Sequence, residues 1–232
     1  MGENFFSVIF YSFYILEGNY QDFKSTIQRY VKLTTNDEFI LNDQKRMQLH
    51  IQGGRELSRL IHNYTAAWYS LVQHTQAIRR KLKEHEKEEI RNFTLEYESK
   101  LSESLKENFE NLFVNDLRRY VQHKALPVPT LHFRMTRTSF ADSASEPPLA
   151  EMGYSFEFSR KQIQDFDWKG IVKEYIRNNE SIPLEKIIDG HFAMMKEFYL
   201  WIQFRDHQLH SYSPSSVKQS TFEEWKQQQN VV

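Results

Sequence analysis

Cysteine is absent from the 232-residue chain, which excludes disulfides and thiolate metal sites and fits a reducing, cytoplasmic compartment. Glycine (7) and proline (6) are scarce for this length, while phenylalanine (18), tyrosine (12) and tryptophan (4) are plentiful. That balance argues against a turn-rich all-β fold and for long helices packed through aromatic side chains. An excess of either charge is also lacking: 30 Lys and Arg face 31 Asp and Glu, a net charge of −1. Any nucleic-acid binding must therefore come from a local patch and be strongly salt-dependent. Long apolar runs are missing too. The most apolar stretch, FFSVIFYSFYIL from Phe5 to Leu16, spans twelve residues, carries serines and tyrosines, and has neither a basic start nor a small-residue cleavage site. It is too short for a bilayer and unlike a signal peptide, and reads as a buried helix or strand rather than an anchor. No internal repeat, Gly-rich phosphate loop, His-Glu metalloprotease signature or low-complexity tract is present.

What is present is helical periodicity. Phe23, Ile27, Tyr30 and Val31 predict an amphipathic helix over about Tyr20 to Lys32, followed by a polar break and a short strand at Phe39 to Leu41. Leu57, Leu60, Ile61, Tyr64, Ala67, Trp68, Leu71, Val72 and Ile78 predict a long core helix from Arg55 to Leu82, with Gly53 and Gly54 just ahead of it. The charge run KLKEHEKEEIR (Lys81 to Arg91) reads as a solvated helix end or helical corner. Periodicity resumes from Phe93 through Tyr97, Leu101, Leu105, Phe109, Leu112 and Phe113, predicting a second long helix that ends near His123 to Lys124, ahead of Leu126-Pro127. LHFRMTRTSF (Leu131 to Phe140) and MGYSFEFS (Met152 to Ser159) alternate as strands of a hairpin with a long connection. Helices are expected at Trp168 to Arg177, Pro183 to about Leu209 and Thr221 to Gln229. The fold class is thus mainly α in a single domain: core helices at 52–129, a β-hairpin at 130–160 and C-terminal helices at 166–232 packing on that core.

The segment FENLFVNDLRRYVQHKALPVP (Phe109 to Pro129) carries the chemistry. Arg118 stands five positions before His123. A neutral imidazole takes a proton near neutral pH and a permanently charged guanidinium holds developing phosphate charge, so such a pair suits metal-free attack on a phosphodiester. Spacing alone means little: fourteen arginines and nine histidines give about half a match by chance, and three occur, the others being Arg80 with His85 and Arg205 with His210. Helical geometry says more. Leu112, Phe113, Leu117, Tyr120 and Val121 share one side, and Asn115, Arg118, Arg119, Gln122 and His123 fill the opposite sector. Arg119 lies almost directly under His123, whereas Arg118 is rotated away by about 140°.

RRYVQHKALPVP resembles the signature of HEPN-domain proteins: Arg, usually a polar residue, three more residues, then His at a helix end, followed in one branch by a similar Leu-Pro. LSRLIHNYTAAWYSLVQHT (Leu57 to Thr75) resembles the first long helix of that branch, so the likeness covers roughly Arg55 to Pro129. The resemblance implies an antiparallel helical bundle that dimerises with the two motif helices facing each other; the β-hairpin read from alternation is then a small insertion after the motif helix. Many such proteins are metal-independent endoribonucleases acting as toxins, abortive-infection effectors or other antiphage defence components. Carried onto this chain, the catalytic residues are Arg118 and His123. The position that is commonly Asn in the family is Arg119 here, which raises the charge of the site.

The implied site is composite, with each protomer contributing its polar face, and the implied reaction yields a 2′,3′-cyclic phosphate with no cofactor. Asn115, Gln122, Arg119, Asn63 and Tyr120 support it, and Lys124, Arg134 and Arg137 extend an RNA-binding patch or are ordinary surface cations. Asn63 and Tyr64 read as packing and hydrogen-bonding support, Tyr120 as core, and His62 and His74 as structural rather than metal ligands. The partners expected are RNA, such as tRNA, a second copy of the chain, and an antitoxin or regulatory protein, with no membrane. The alternative is a non-catalytic HEPN-like dimerisation module that binds RNA, a nucleotide or a protein.

Overall fold

The computed structural model describes residues 5–34, 42–137, 150–209 and 220–229. The chain is mainly helical with a small antiparallel sheet, as expected. The described elements are α1 (Phe5–Thr34), α2 (Asp43–Lys83), α3 (Glu88–Ser104), α4 (Phe109–His123), β1 (Thr130–Arg137), β2 (Ala150–Ser159), α5 (Arg160–Ile163), α6 (Gly170–Asn178), β3 (Ser181–Pro183), α7 (Leu184–Leu209) and α8 (Phe222–Gln229). No helix among the described residues is long and apolar enough to cross a membrane.

Several boundaries differ from the sequence reading. The apolar N-terminal run and the amphipathic segment after it form one helix, and Tyr11, Tyr14 and Ile15 of that run are exposed rather than buried. α2 begins at Asp43 and carries Gly53 and Gly54 inside it. The glycines are there because neighbours come close. A Cβ on Gly54 would stand 2.6 Å from Val128 Cγ1, and one on Gly53 would stand 3.1 Å from the Tyr30 ring. The helix expected from Phe93 to His123 is two helices, because Asn108 interrupts it: its Oδ1 accepts from the Asn111 amide at 3.0 Å, a side-chain cap that starts α4 anew. The charge run is a helical corner, as read, between α2 and α3. The Phe39 to Leu41 strand lies outside the described residues.

The chain forms two compact units: Met1–Tyr20, Tyr64–Arg118 and Asp189–Val232 in one; Gln21–Asn63 and Arg119–Ile188 in the other. In the first unit the core is aromatic. Phe13 stacks on Tyr199 at 5.2 Å, Tyr20 on Phe192 at 3.9 Å, and Phe93 on Trp201 at 5.9 Å. At its centre His191 is fully buried, with Nδ1 2.7 Å from the Tyr64 hydroxyl and its ring edge-on to Trp68. The Tyr199 hydroxyl shares a 2.9 Å hydrogen bond with Thr75, and Glu96 pairs with Arg205 at 2.8 Å. Trp225, 1% exposed, seats α8 against Phe204. His74 Nδ1 lies 2.7 Å from Ser12 Oγ.

The second unit holds the sheet, in order β1-β2-β3. β1 and β2 form the expected hairpin, with Thr130 opposite Glu157 and Arg137 opposite Ala150. β3 was not foreseen; three residues ending in proline carry too little periodicity to mark a strand, yet Ile182 pairs with Phe158 and both are buried. Gly170 opens α6 with φ of 47°, a left-handed conformation that favours glycine. The end of α4 is fastened to α2. Lys124 and Ala125 amides both donate to Tyr120 O, the chain leaves the helix before Pro127, and Ser58 Oγ lies 2.8 Å from Pro127 O and 2.8 Å from Gly54 O.

Ser58→Ala removes a buried hydroxyl that serves the carbonyls of Gly54 and Pro127, and is expected to lower the unfolding free energy by about 1–3 kcal/mol in urea titration; an unchanged value would show that the hydroxyl does not hold Pro127. Burial drives the His191 pKa down from 6.5 to about 3, so between those values the unfolded chain binds a proton that the folded chain refuses. Stability from this residue is complete above pH 6.5 and is lost as pH falls below it. Between pH 6.5 and about pH 5 the native protein should lose about 2 kcal/mol more than His191→Leu; parallel pH profiles for the two proteins would refute this.

Candidate functional site

α4 contributes to both units, Phe109–Arg118 to the first and Arg119–His123 to the second. Its buried residues are Phe113, Val114, Asp116, Leu117, Tyr120 and Val121. Asp116, only 3% exposed, sits within the apolar sector one turn from Tyr120, and the polar–apolar pattern did not single it out. Asn115, Gln122 and His123 are exposed, as their spacing implies. The two arginines of the same sector are not: both are half-buried, each lying on an aromatic ring.

In the first unit the Arg118 guanidinium carbon lies over the Tyr69 ring on α2, 3.5 Å from its centroid. Its Nε is buried without a hydrogen-bond partner, so the part of the group open to solvent lies on other atoms. A guanidinium held over a ring at this distance is positioned by it, and no ion pair neutralises it among the described residues. Nothing local in the sequence pairs Tyr69 with Arg118; the helical period places Tyr69 beside the buried Trp68, with no mark of a partner.

In the second unit Arg119 lies over the Phe166 ring at 5.3 Å rather than reserved for His123. Phe166 is itself fixed, edge-on to Tyr120 at 5.2 Å and to Trp168 at 5.3 Å, while Tyr120 stacks on Trp168 at 5.6 Å. Tyr120 is core, as its sector implied: 4% exposed, its hydroxyl donating to Gln162 O at 2.9 Å. Burial, reinforced by the Asp165 carboxylate, raises its phenol above the ordinary value, which removes it from proton transfer near neutral pH. His123 ends α4 with its imidazole exposed and, among the described residues, without a hydrogen-bond or ion-pair partner. Lys124, the next residue, is exposed as well.

The remaining named residues fall apart from this helix end or outside what is described. Asn63, half-buried on α2, closes the α2 segment of the second unit. Tyr64 beside it faces His191, a structural role. Arg134 and Arg137 lie on β1 opposite Gly153 and Ala150, and the phosphate-binding reading of their side chains lies outside the described part of the structure. Among the described residues no group of three or more His, Asp or Glu is placed to hold a metal ion.

A double-mutant cycle between Tyr69→Leu and Arg118→Met should return a coupling of about 0.5–2 kcal/mol in unfolding free energy, the range for a desolvated cation–π pair; a coupling of zero would remove Tyr69 as the support of Arg118. Family models, curated proteins and solved structures were all compared with the chain, and none matches it.

Proposed function

We propose that the chain is a HEPN-type endoribonuclease, acting through Arg118 and His123 of α4 without a metal and as a homodimer in which the two copies of α4 line one cleft. The observation that carries this reading is the state of the two side chains. His123 is an exposed imidazole with no competing partner among the described residues, and Arg118 is a guanidinium unpaired by acid and oriented by a ring. A base that must accept a proton from substrate has to be uncommitted, and a group that meets developing anionic charge has to be oriented beforehand.

In the reaction His123 takes the proton of a ribose 2′-hydroxyl, and the 2′-oxygen bonds to the adjacent phosphorus. Arg118 holds the equatorial oxygens as charge builds on them. The bond from phosphorus to the 5′-oxygen breaks, that oxygen leaves with a proton from water, and the products are a 2′,3′-cyclic phosphate and a 5′-hydroxyl. Arg119, at the position commonly Asn in the family, adds a second cation beside the site and is itself steadied on Phe166. The biological setting that fits is a toxin or antiphage defence effector acting on cellular RNA such as tRNA, restrained by an antitoxin or regulatory protein.

Purified protein incubated with total RNA in EDTA should cleave it. His123→Ala should lower the rate by roughly 10²–10⁴ and Arg118→Ala by roughly 10²–10³, both remaining folded. Absence of cleavage by the native protein, with dimerisation and RNA binding intact, would favour the non-catalytic module. Cleavage that survives both substitutions would place the chemistry elsewhere.

A further inference from the structure

The second unit contains a cleft that the motif does not include. Its volume is about 330 Å³, at the lower end of the range for small-molecule sites, and its lining includes Arg160, Asp165, Phe166, Trp168, Lys173 and Arg177. Three cations face one carboxylate there. Arg160 is partly committed, its Nη1 donating to Arg177 O at 2.8 Å and its Nη2 3.8 Å from Glu180. Lys173 and Arg177 have no acidic partner among the described residues and stand one helical turn apart on α6, so their side chains project from the same face.

The lining also includes two packed aromatic side chains. Phe166 is half-buried, with Tyr120 and Trp168 against its edges, and Trp168 is fixed by its indole N–H donating to Ile163 O at 2.6 Å. Arg119 lies on the Phe166 ring and Tyr120 packs on both Phe166 and Trp168, so the cleft adjoins α4 through its aromatic lining. Two uncommitted cations spaced along a helix beside a held aromatic ring form the combination that binds single-stranded nucleic acid. Phosphates meet the cations, a base meets the ring, and no sequence is read. An acidic peptide would use the cations but has no need of the ring.

We propose that this cleft binds a nucleotide of single-stranded RNA flanking the one cut at α4, its base against Phe166 and its phosphates at Lys173 and Arg177. The inference rests on the reading of the chain as an RNA-cleaving protein and adds the single-stranded character of the substrate and its path across the second unit. Asp165 faces the same space and accepts from the amino or imino edge of the stacked base.

The test uses full-length His123→Ala, which binds without cutting, and a fluorescein-labelled single-stranded oligoribonucleotide of about ten nucleotides, followed by anisotropy over a salt series. Lys173→Ala with Arg177→Ala should weaken binding about tenfold or more and lower the slope of log K against log salt by about 1.4, the value for two lost contacts to a single strand. Phe166→Leu should weaken binding about five- to tenfold at unchanged slope, and Phe166→Tyr should restore it. Unfolding curves matching the parent establish that the variants fold. Unchanged affinity and slope in the Lys173, Arg177 and Phe166 variants overturn the cleft, and if cleavage by the native chain persists the ribonuclease reading stands without it. Failure of the parent to bind and of the native chain to cleave overturns both.

Discussion

The approach of the Pro127–Pro129 segment to α2 is the constraint on which the candidate site depends. Gly54 lacks the Cβ that would collide with Val128, and Ser58 reaches Pro127 O across the contact. Together these set where the chain goes after α4, so they set where His123 is presented. The proline prevents the helix from continuing, and the two small residues of α2 give the departing chain a place to lie. From there Gln162 reaches back, its Nε2 donating to Val128 O at 3.2 Å, which connects α5 and the aromatic group behind it to the same anchor.

A second theme is what the aromatic residues do in a chain so poor in glycine and proline. In the first unit they bury the core around His191, whose imidazole is kept neutral by the cost of placing a charge there. On α4 they hold cations. Arg118 rests on Tyr69 and Arg119 on Phe166, and Arg118 is oriented without an acidic partner among the described residues. The same Phe166 that steadies Arg119 also lines the α6 cleft, so one ring serves both sides of the second unit's charged surface.

The elements that the sequence made legible are those set by local patterns. The Arg55 to Leu82 part of α2, the hairpin with its alternation, the corner at the charge run and the core place of Tyr120 were all readable from spacing. The elements that were not legible depend on one side chain or on a distant neighbour. Asn108 splits one apolar-periodic run into two helices by capping, which leaves the period undisturbed. Gly53 and Gly54 read as a helix boundary because glycine is costly inside a helix, yet here close packing against Tyr30 and Val128 repays that cost. β3 is three residues long and exists because β2 offers it an edge.

For the candidate site the division is the same. The end of α4 at His123 follows from sequence alone, because apolar periodicity, the Leu-Pro stop and backbone sterics act within a few residues. So does the placing of Asn115, Gln122 and His123 on the exposed side. Only tertiary structure decided that Arg118 rests on Tyr69 and Arg119 on Phe166, and that Lys173 and Arg177 share a cleft with that ring. The two ring pairings join residues far apart in the chain, and no periodicity along a single helix records which ring another helix or turn will bring against it.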